Sequence, residues 1–76
     1  MSTILTIPQL EMAMSEGGLA EWLAADGAQV AEGDPIYVLE TGKAAQDIAA
    51  PVAGRLIHRA AAGAVYPVGA EIGAIE

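Results

Sequence analysis

Lys43 is the only lysine in this chain of 76 residues, so its amine is the only side-chain amine of that kind that the sequence offers. The chain has no cysteine, so neither a disulfide nor a cysteine-based metal site can form. Its two serines, Ser2 and Ser15, have only His58 as a possible histidine base, which leaves a hydrolase triad without a plausible geometry. The sequence therefore directs attention to the chemistry of one amine.

The stretch LETGKAAQ, residues 39–46, places Lys43 between two predicted paired strands, IYVLE and AAQDIA, with TGKA as the turn. Gly42 suits a tight hairpin, because glycine takes the positive φ that such turns often need. A lysine at a hairpin tip projects into solvent and lacks the desolvating pocket that a Schiff-base lysine requires. Turn lysines are usually solubilising charges, but the absence of any other lysine favours an amine displayed for covalent modification.

Two other binding functions are disfavoured by residue type and spacing. A phosphate-binding loop needs the pattern G-x-x-x-x-G-K-[ST], whereas Tyr37 stands at its first position and Ala44 at its last. Asp26, Glu32 and Asp34 are predicted to be solvated turn residues rather than metal ligands, since neither a histidine nor a fourth carboxylate is spaced to join them.

The chain is strongly acidic, with a formal net charge of −7 and only Lys43, Arg55 and Arg59 as cations. This balance argues against a nucleic-acid partner, which would need a basic face. No apolar run approaches the roughly 18 residues of a membrane span, and the start MSTILTIPQL lacks the basic residues of a signal peptide. We expect a cytoplasmic protein whose partners are proteins, with no nucleic-acid or membrane association.

The elements that must position Lys43 are predicted to be short strands. Nine glycines and four prolines interrupt the chain too often for helices of ordinary length. Many short segments with β-branched or aromatic residues at regular spacing indicate an all-β sandwich or barrel formed by a single domain, residues 1–76. Trp22 and the isoleucine, leucine and valine residues are assigned to its core. Turns are expected at the following glycines: Gly17, Gly27, Gly33, Gly54, Gly63 and Gly69.

An internal repeat supports this architecture. A shift of 36 residues aligns 23 positions and gives eight identities, where chance in so Ala- and Gly-rich a chain gives roughly two. Glycines recur in register because the backbone needs them at equivalent places. The repeat predicts two similar all-β halves packed face to face, and it aligns His58 with Trp22, which indicates a structural role for the histidine.

The chain resembles the lipoyl domain of 2-oxo acid dehydrogenase complexes, a member of the biotinyl/lipoyl-attachment family that usually stands at the start of the dihydrolipoamide acyltransferase chain. The resemblance covers essentially the whole sequence. Residues 22–35 match W-L-x-x-x-G-x-x-V-x-x-G-D-P, and residues 43–54 match the K-A-x-x-x-I-x-A-P-x-x-G that follows the attachment turn. The segment PVGAEIGAIE resembles the closing strand of the family.

This resemblance implies a flattened β-barrel of two four-stranded antiparallel sheets with quasi-two-fold symmetry. It also implies that Lys43 carries lipoic acid in amide linkage, attached by a lipoate ligase or lipoyl transferase. The implied partners are a thiamine-dependent decarboxylase, the acyltransferase core and a flavin dihydrolipoamide dehydrogenase. The domain itself would be a carrier and not an enzyme, since the disulfide chemistry belongs to the cofactor.

The attachment turn departs from the family pattern at one position. Glu40, Thr41 and Ala44 keep the pattern, but Gly42 stands where the family usually has aspartate. The missing charge bears on recognition by the decarboxylase more than on lipoylation. In the biotinyl branch methionine flanks the lysine on both sides, so Gly42 and Ala44 speak against biotin. A biotin carrier and an unmodified β interaction module are the alternatives.

The segment before the second strand is the other implied site. In the family it lies beside the lysine turn and helps partner enzymes identify the domain. An ordinary polar loop with Met14 packed inward is the alternative. The residues expected to contribute to recognition are Glu11, Met12, Met14 and Glu16.

Overall fold

The computed structural model of the protein describes residues 2–10, 12–42 and 44–76. Within these ranges all regular structure is β, as the density of glycine and proline predicts, and no helix is present that could cross a membrane. Lys43 and Glu11, two of the residues expected to function, lie outside the described residues. The strands are β1 (Thr3–Thr6), β2 (Glu16–Trp22), β3 (Gln29–Val30), β4 (Pro35–Glu40), β5 (Ala45–Ala49), β6 (Gly54–His58), β7 (Ala64–Pro67) and β8 (Glu71–Ile75).

The strands form two four-stranded sheets, which confirms the predicted fold class. One sheet has the order β1-β8-β6-β3 and the other β5-β4-β2-β7, and every neighbouring pair is antiparallel. The hairpin formed by β4 and β5, which carries the lysine turn, lies at one edge of the second sheet.

The 36-residue repeat appears in the backbone as a quasi-two-fold relation. Leu23 N–H donates to the Ile36 carbonyl at 2.8 Å, and Arg59, which is 36 positions later, donates to the Ile72 carbonyl at 3.0 Å. Each strand of one sheet also has its counterpart at the same place in the other sheet. The two sequences that repeat therefore fold in the same way.

The sheets are nevertheless not the two halves of the sequence, which corrects the prediction of two halves packed face to face. The short strand β3 leaves the first half to pair with β6, and β7 leaves the second half to pair with β2. Each sheet thus contains strands from both halves. Neither half can complete a sheet without the other.

Four of the six glycines predicted to form turns do so. Gly27, Gly33, Gly63 and Gly69 have φ values of 84°, 92°, 90° and 90°. Gly33 and Gly69 are the third residues of turns closed by backbone hydrogen bonds of 3.0 Å. A type II turn requires a positive φ at that place, which favours glycine.

Gly17 and Gly54 lie within strands, so the prediction that they form turns is wrong. A Cβ atom at Gly17 would lie 2.8 Å from Leu39 Cδ1, and one at Gly54 would lie 2.5 Å from the Glu76 carbonyl oxygen. At Gly54 both the close backbone and the φ of 156° favour glycine, whereas at Gly17 the crowding atoms are the ends of side chains.

The core lies between the two sheets and is built of aliphatic side chains with one aromatic ring. Trp22 packs against this core from its margin, with its ring edge-on to Tyr37 at a centroid distance of 5.6 Å. Equivalent strands contribute equivalent core residues, such as Ile36 and Ile72, both fully buried. The buried residues are Leu5, Ile7, Leu19, Val30, Ile36, Tyr37, Leu39, Ala50, Leu56, Ile72, Ala74 and Ile75.

Candidate functional site

The lysine turn is closed by the two residues that flank its tip. Glu40 and Ala45 are the last paired residues of β4 and β5. Beyond them Thr41 N–H donates to the Ala44 carbonyl at 2.8 Å, and Ala44 N–H donates to Thr41 Oγ1 at 3.3 Å. These bonds close the β4–β5 hairpin at Thr41 and Ala44, between which the sequence has the two residues 42 and 43.

Gly42 differs from the conformation that the sequence suggests. Its φ lies outside the left-handed range, and a Cβ atom built on it would meet no atom within 4 Å. The turn therefore does not need glycine for conformation or for space. Another residue, including the aspartate usual in the family, can occupy this position without strain.

The segment between β1 and β2 lies beside the turn. Leu10, which is 43% exposed, lines a depression of about 170 Å³ together with Thr41, Ala44 and Gln46. The sequence assigns Leu10 to the core with the other leucines, and its exposure beside the turn corrects that prediction, because a lone leucine in a loop looks like a core residue in the sequence. The open space around Gly42 and the depressions on either side of the turn fit a flexible group attached at its tip.

The four residues of this segment that were expected to contribute to recognition occupy different environments. Met12 is 98% exposed, whereas Met14 packs against the core. The Met14 Sδ accepts a hydrogen bond from Leu10 N–H at 3.5 Å, which ties the segment together. Glu16 is exposed at the start of β2, and Glu11 lies outside the described residues. Met12 and Glu16 are thus the described members available to a partner.

A second depression lies on the other side of the turn, with a volume of about 190 Å³. It brings together two carboxylates, because Glu16 begins β2 and Glu40 ends β4. Glu16 and Glu40 are 24 positions apart, so no local pattern predicts that they are neighbours. The lining residues are Glu16, Gly17, Gly18, Glu40, Thr41, Gly42 and Val65.

The carboxylates of the other turns have structural roles. Asp34 Oδ2 accepts a hydrogen bond from Ala31 N–H at 2.9 Å, and Asp26 Oδ1 accepts one from His58 N–H at 2.8 Å. Among the described residues, no three histidine, aspartate or glutamate side chains are grouped closely enough to hold a metal ion. Asp34 therefore stabilises its own turn and Asp26 ties its turn to β6, while Asp26, Glu32 and Asp34 are all exposed, as predicted.

Comparison with known proteins places the chain in a family. The family model described as "Biotin-requiring enzyme", which covers biotin and lipoyl attachment, matches residues 3–75. A dihydrolipoyllysine-residue acetyltransferase component of an acetoin cleaving system from Cupriavidus necator is 38% identical over 72 residues, which are 93% of this chain and 19% of the relative.

Two further relatives belong to other complexes. The dihydrolipoyllysine-residue acetyltransferase component of the pyruvate dehydrogenase complex of Rhizobium meliloti is 39% identical over 67 residues, covering 88% of this chain and 14% of its own length. The succinyltransferase component of the 2-oxoglutarate dehydrogenase complex of Bartonella vinsonii is 34% identical over 77 residues, covering 100% of this chain and 19% of its own length.

The chain spans less than a fifth of each of these relatives. The match is thus to a small module of a large enzyme chain. With the two antiparallel sheets and the β4–β5 hairpin closed by Thr41 and Ala44, these matches show that the chain belongs to the biotin/lipoyl-attachment family, as a lipoyl domain of the kind found in dihydrolipoyllysine-residue acyltransferases.

Proposed function

We propose that this chain is a non-catalytic carrier domain in which Lys43 bears lipoic acid through an amide at Nζ. The observation that carries the proposal is that the chain's sole lysine stands in the sequence between Thr41 and Ala44, whose backbones close the β4–β5 hairpin. The match of residues 3–75 to a family of attachment domains supports it. A modifying enzyme that recognises this hairpin meets a single side-chain amine.

Attachment would join the Lys43 nitrogen to the carboxyl carbon of lipoate. A lipoate ligase or lipoyl transferase would supply that carbon in activated form, and the leaving group departs while the amine gives up a proton. The domain contributes the rigid frame of this step, because the β4–β5 hairpin is paired from Pro35 to Glu40. Holding a reacting group in a fixed position lowers the barrier to a transfer reaction.

When bound, the lipoyl group would supply a dithiolane that takes up an acyl group together with two electrons. The proposed partners are a thiamine-dependent decarboxylase, the acyltransferase core and a flavin dihydrolipoamide dehydrogenase. Glu40, Thr41, Gly42 and Ala44 shape the turn that each partner must approach. We assign recognition to the adjoining segment, with the residues Glu11, Met12, Met14 and Glu16.

Intact-mass measurement after incubation with lipoate ligase, ATP and lipoate tests the proposal. The expected result is one lipoyl adduct on the wild-type domain and none on Lys43→Arg, which keeps the positive charge but not the amine. An adduct on Lys43→Arg, or no adduct on the folded wild-type domain, would overturn it. Purification from cells that make lipoate should also yield the modified mass, which an unmodified interaction module would lack.

A biotin carrier is the second candidate, because the matched family includes biotin attachment. The residues on either side of Lys43 are Gly42 and Ala44, and neither is the methionine usual beside a biotinylated lysine. Coexpression with a biotin ligase, followed by streptavidin capture, distinguishes the two cofactors. We expect no capture even when the domain has not been lipoylated.

A further inference from the structure

A groove on the outer face of the second sheet begins at the lysine turn. The depression of about 190 Å³ that reaches Thr41 and Gly42 shares three lining residues, Gly18, Glu40 and Val65, with a depression of about 250 Å³ further along β2. The two depressions therefore form one groove, which we call the Gly18 groove. It is continuous with the proposed attachment site.

The groove exists because Gly18 has no side chain. Gly18 lies in β2 directly opposite Glu40 of β4 and Val65 of β7. Residues opposite each other on neighbouring strands point to the same face of a sheet. The outward row Glu40–Gly18–Val65 thus has a gap at its centre, and the two flanking side chains are its walls.

The fold does not require glycine at position 18. A Cβ atom there would lie 3.4 Å from the Glu40 carbonyl oxygen and 4.0 Å from Val65 Cγ2, which are ordinary contacts, and φ is outside the left-handed range. Its neighbour Gly17 is different, because a Cβ atom there would lie 2.9 Å from Met14 Cε in the packed interior. A glycine inside a strand is destabilising relative to alanine and often marks the close approach of a ligand.

The walls of the groove indicate the chemistry of its occupant. Val65 is 60% exposed and supplies an apolar surface. The opposite wall is Glu40, with Glu16 at the end nearest the turn, and these carboxylates disfavour an anion. A slender, uncharged and largely apolar group tethered at the turn fits this combination.

We propose that the Gly18 groove is a resting site for the lipoyl arm of Lys43 in the free domain. Beside Val65 the apolar chain and dithiolane ring lose part of their exposure to water. The proposal rests on lipoylation of Lys43 and adds to it a docking surface provided by this chain. The groove is open along its length, so a partner enzyme can withdraw the arm.

Nuclear magnetic resonance of the unmodified and the lipoylated domain tests the resting site. The expected result is a change in the Gly18 amide and Val65 methyl shifts on lipoylation, with nuclear Overhauser contacts between Val65 methyl protons and dithiolane protons. Intact mass establishes first that the lipoyl group is present, so failure of lipoylation and failure of the resting site are distinguished. Changes confined to residues 40–46 in the fully lipoylated domain would overturn the resting site alone.

Variants at positions 18 and 45 test whether the contacts depend on the groove. Gly18→Val fills the gap and should abolish the Val65 contacts, whereas Ala45→Val places the same side chain on the far side of Glu40, outside the groove, and should leave them unchanged. Gly18→Ala, whose Cβ meets only ordinary contacts, serves if the valine variant does not fold. Dithiolane contacts that persist in a folded Gly18→Val domain would contradict the proposal.

Discussion

Trp22 and His58 occupy equivalent positions in the 36-residue repeat, and their rings stack with centroids 4.0 Å apart and an interplanar angle of 12°. Each ring also forms a hydrogen bond with a backbone carbonyl in the other half of the chain. Trp22 Nε1 donates to the Ala60 carbonyl at 3.1 Å, and His58 Nε2 lies 2.9 Å from the Ala24 carbonyl, a pair of acceptors that are equivalent in turn. The bond from His58 requires its proton on Nε2. The two rings therefore join the halves of the fold.

Replacement of His58 should destabilise the domain without affecting lipoylation. His58→Ala removes both the stack and the bond to Ala24, and we expect a loss of about 1–2 kcal/mol in the free energy of unfolding. His58→Phe keeps the stacking surface and should lose less. Urea denaturation followed by Trp22 fluorescence measures both. Equal stability of the alanine and phenylalanine variants would show that stacking contributes nothing.

Two glycine-to-alanine substitutions should differ strongly in their effect on the free energy of unfolding. A Cβ atom at Gly73 would lie 2.5 Å from the Ile57 carbonyl oxygen and 3.2 Å from the Trp22 ring, whereas one at Gly42 meets nothing within 4 Å. We expect Gly73→Ala to cost about 1–3 kcal/mol, because backbone must move. Gly42→Ala should change stability by less than about 0.5 kcal/mol. Thermal unfolding of the two variants side by side is the measurement, and a destabilising Gly42→Ala would be inconsistent with the open tip.

Stability should fall above about pH 10 because of Tyr37. Burial raises the pKa of this phenol from 10.0 to about 12. The unfolded chain ionises first as the pH rises, so Tyr37 stabilises the folded state fully below pH 10 and its contribution is lost between pH 10 and about 12. A shift of this size corresponds to a loss of about 3 kcal/mol at most.

Denaturation of the wild-type domain and of Tyr37→Phe between pH 8 and about 12 tests this expectation. Phenylalanine has no proton to lose, so the difference in stability between the two proteins isolates Tyr37 from the other groups that titrate in this range. A difference that does not change with pH would show that the phenol is not desolvated.

The charge missing at Gly42 should affect acyl loading. Gly42→Asp places a carboxylate in open space next to Lys43 in the sequence, so the free energy of unfolding should not change. The rate of reductive acylation by a thiamine-dependent decarboxylase should rise about two- to fivefold, which is the effect of one exposed charge. Gly42→Asn has nearly the same shape without the charge and serves as the control. Rates measured on fully lipoylated variants decide the matter, and equal rates for the two would rule out a charge effect.

Met12 and Met14 should separate recognition from folding. Met12 is almost completely exposed, so Met12→Ala should leave stability within about 0.5 kcal/mol of wild type while it lowers the rate of acylation. Met14 contacts the core, so Met14→Ala should cost about 1–3 kcal/mol. Unfolding and acylation measured on the same preparations test both statements, and an unchanged acylation rate for Met12→Ala would remove it from the recognition surface.

Much of the architecture follows from local signals in the sequence. The glycines at 27, 33, 63 and 69 mark turns because only a positive φ closes them, and the 36-residue repeat predicts equivalent strands. The segments between successive glycines and prolines are too short for long helices. The same local signals failed at Gly17 and Gly54, because a glycine that avoids a clash with a distant residue is indistinguishable in sequence from one that forms a turn.

The sequence by itself determined the fold class, the family and the hairpin that carries the only lysine, since composition, turn residues and motif spacing are properties of neighbouring residues. Only the tertiary structure decided that each sheet takes strands from both halves, that Trp22 and His58 meet, and that Gly18 opens a groove between Glu40 and Val65. These relations depend on strand pairing across long sequence separations, which is set by the packing of the whole core rather than by any local pattern.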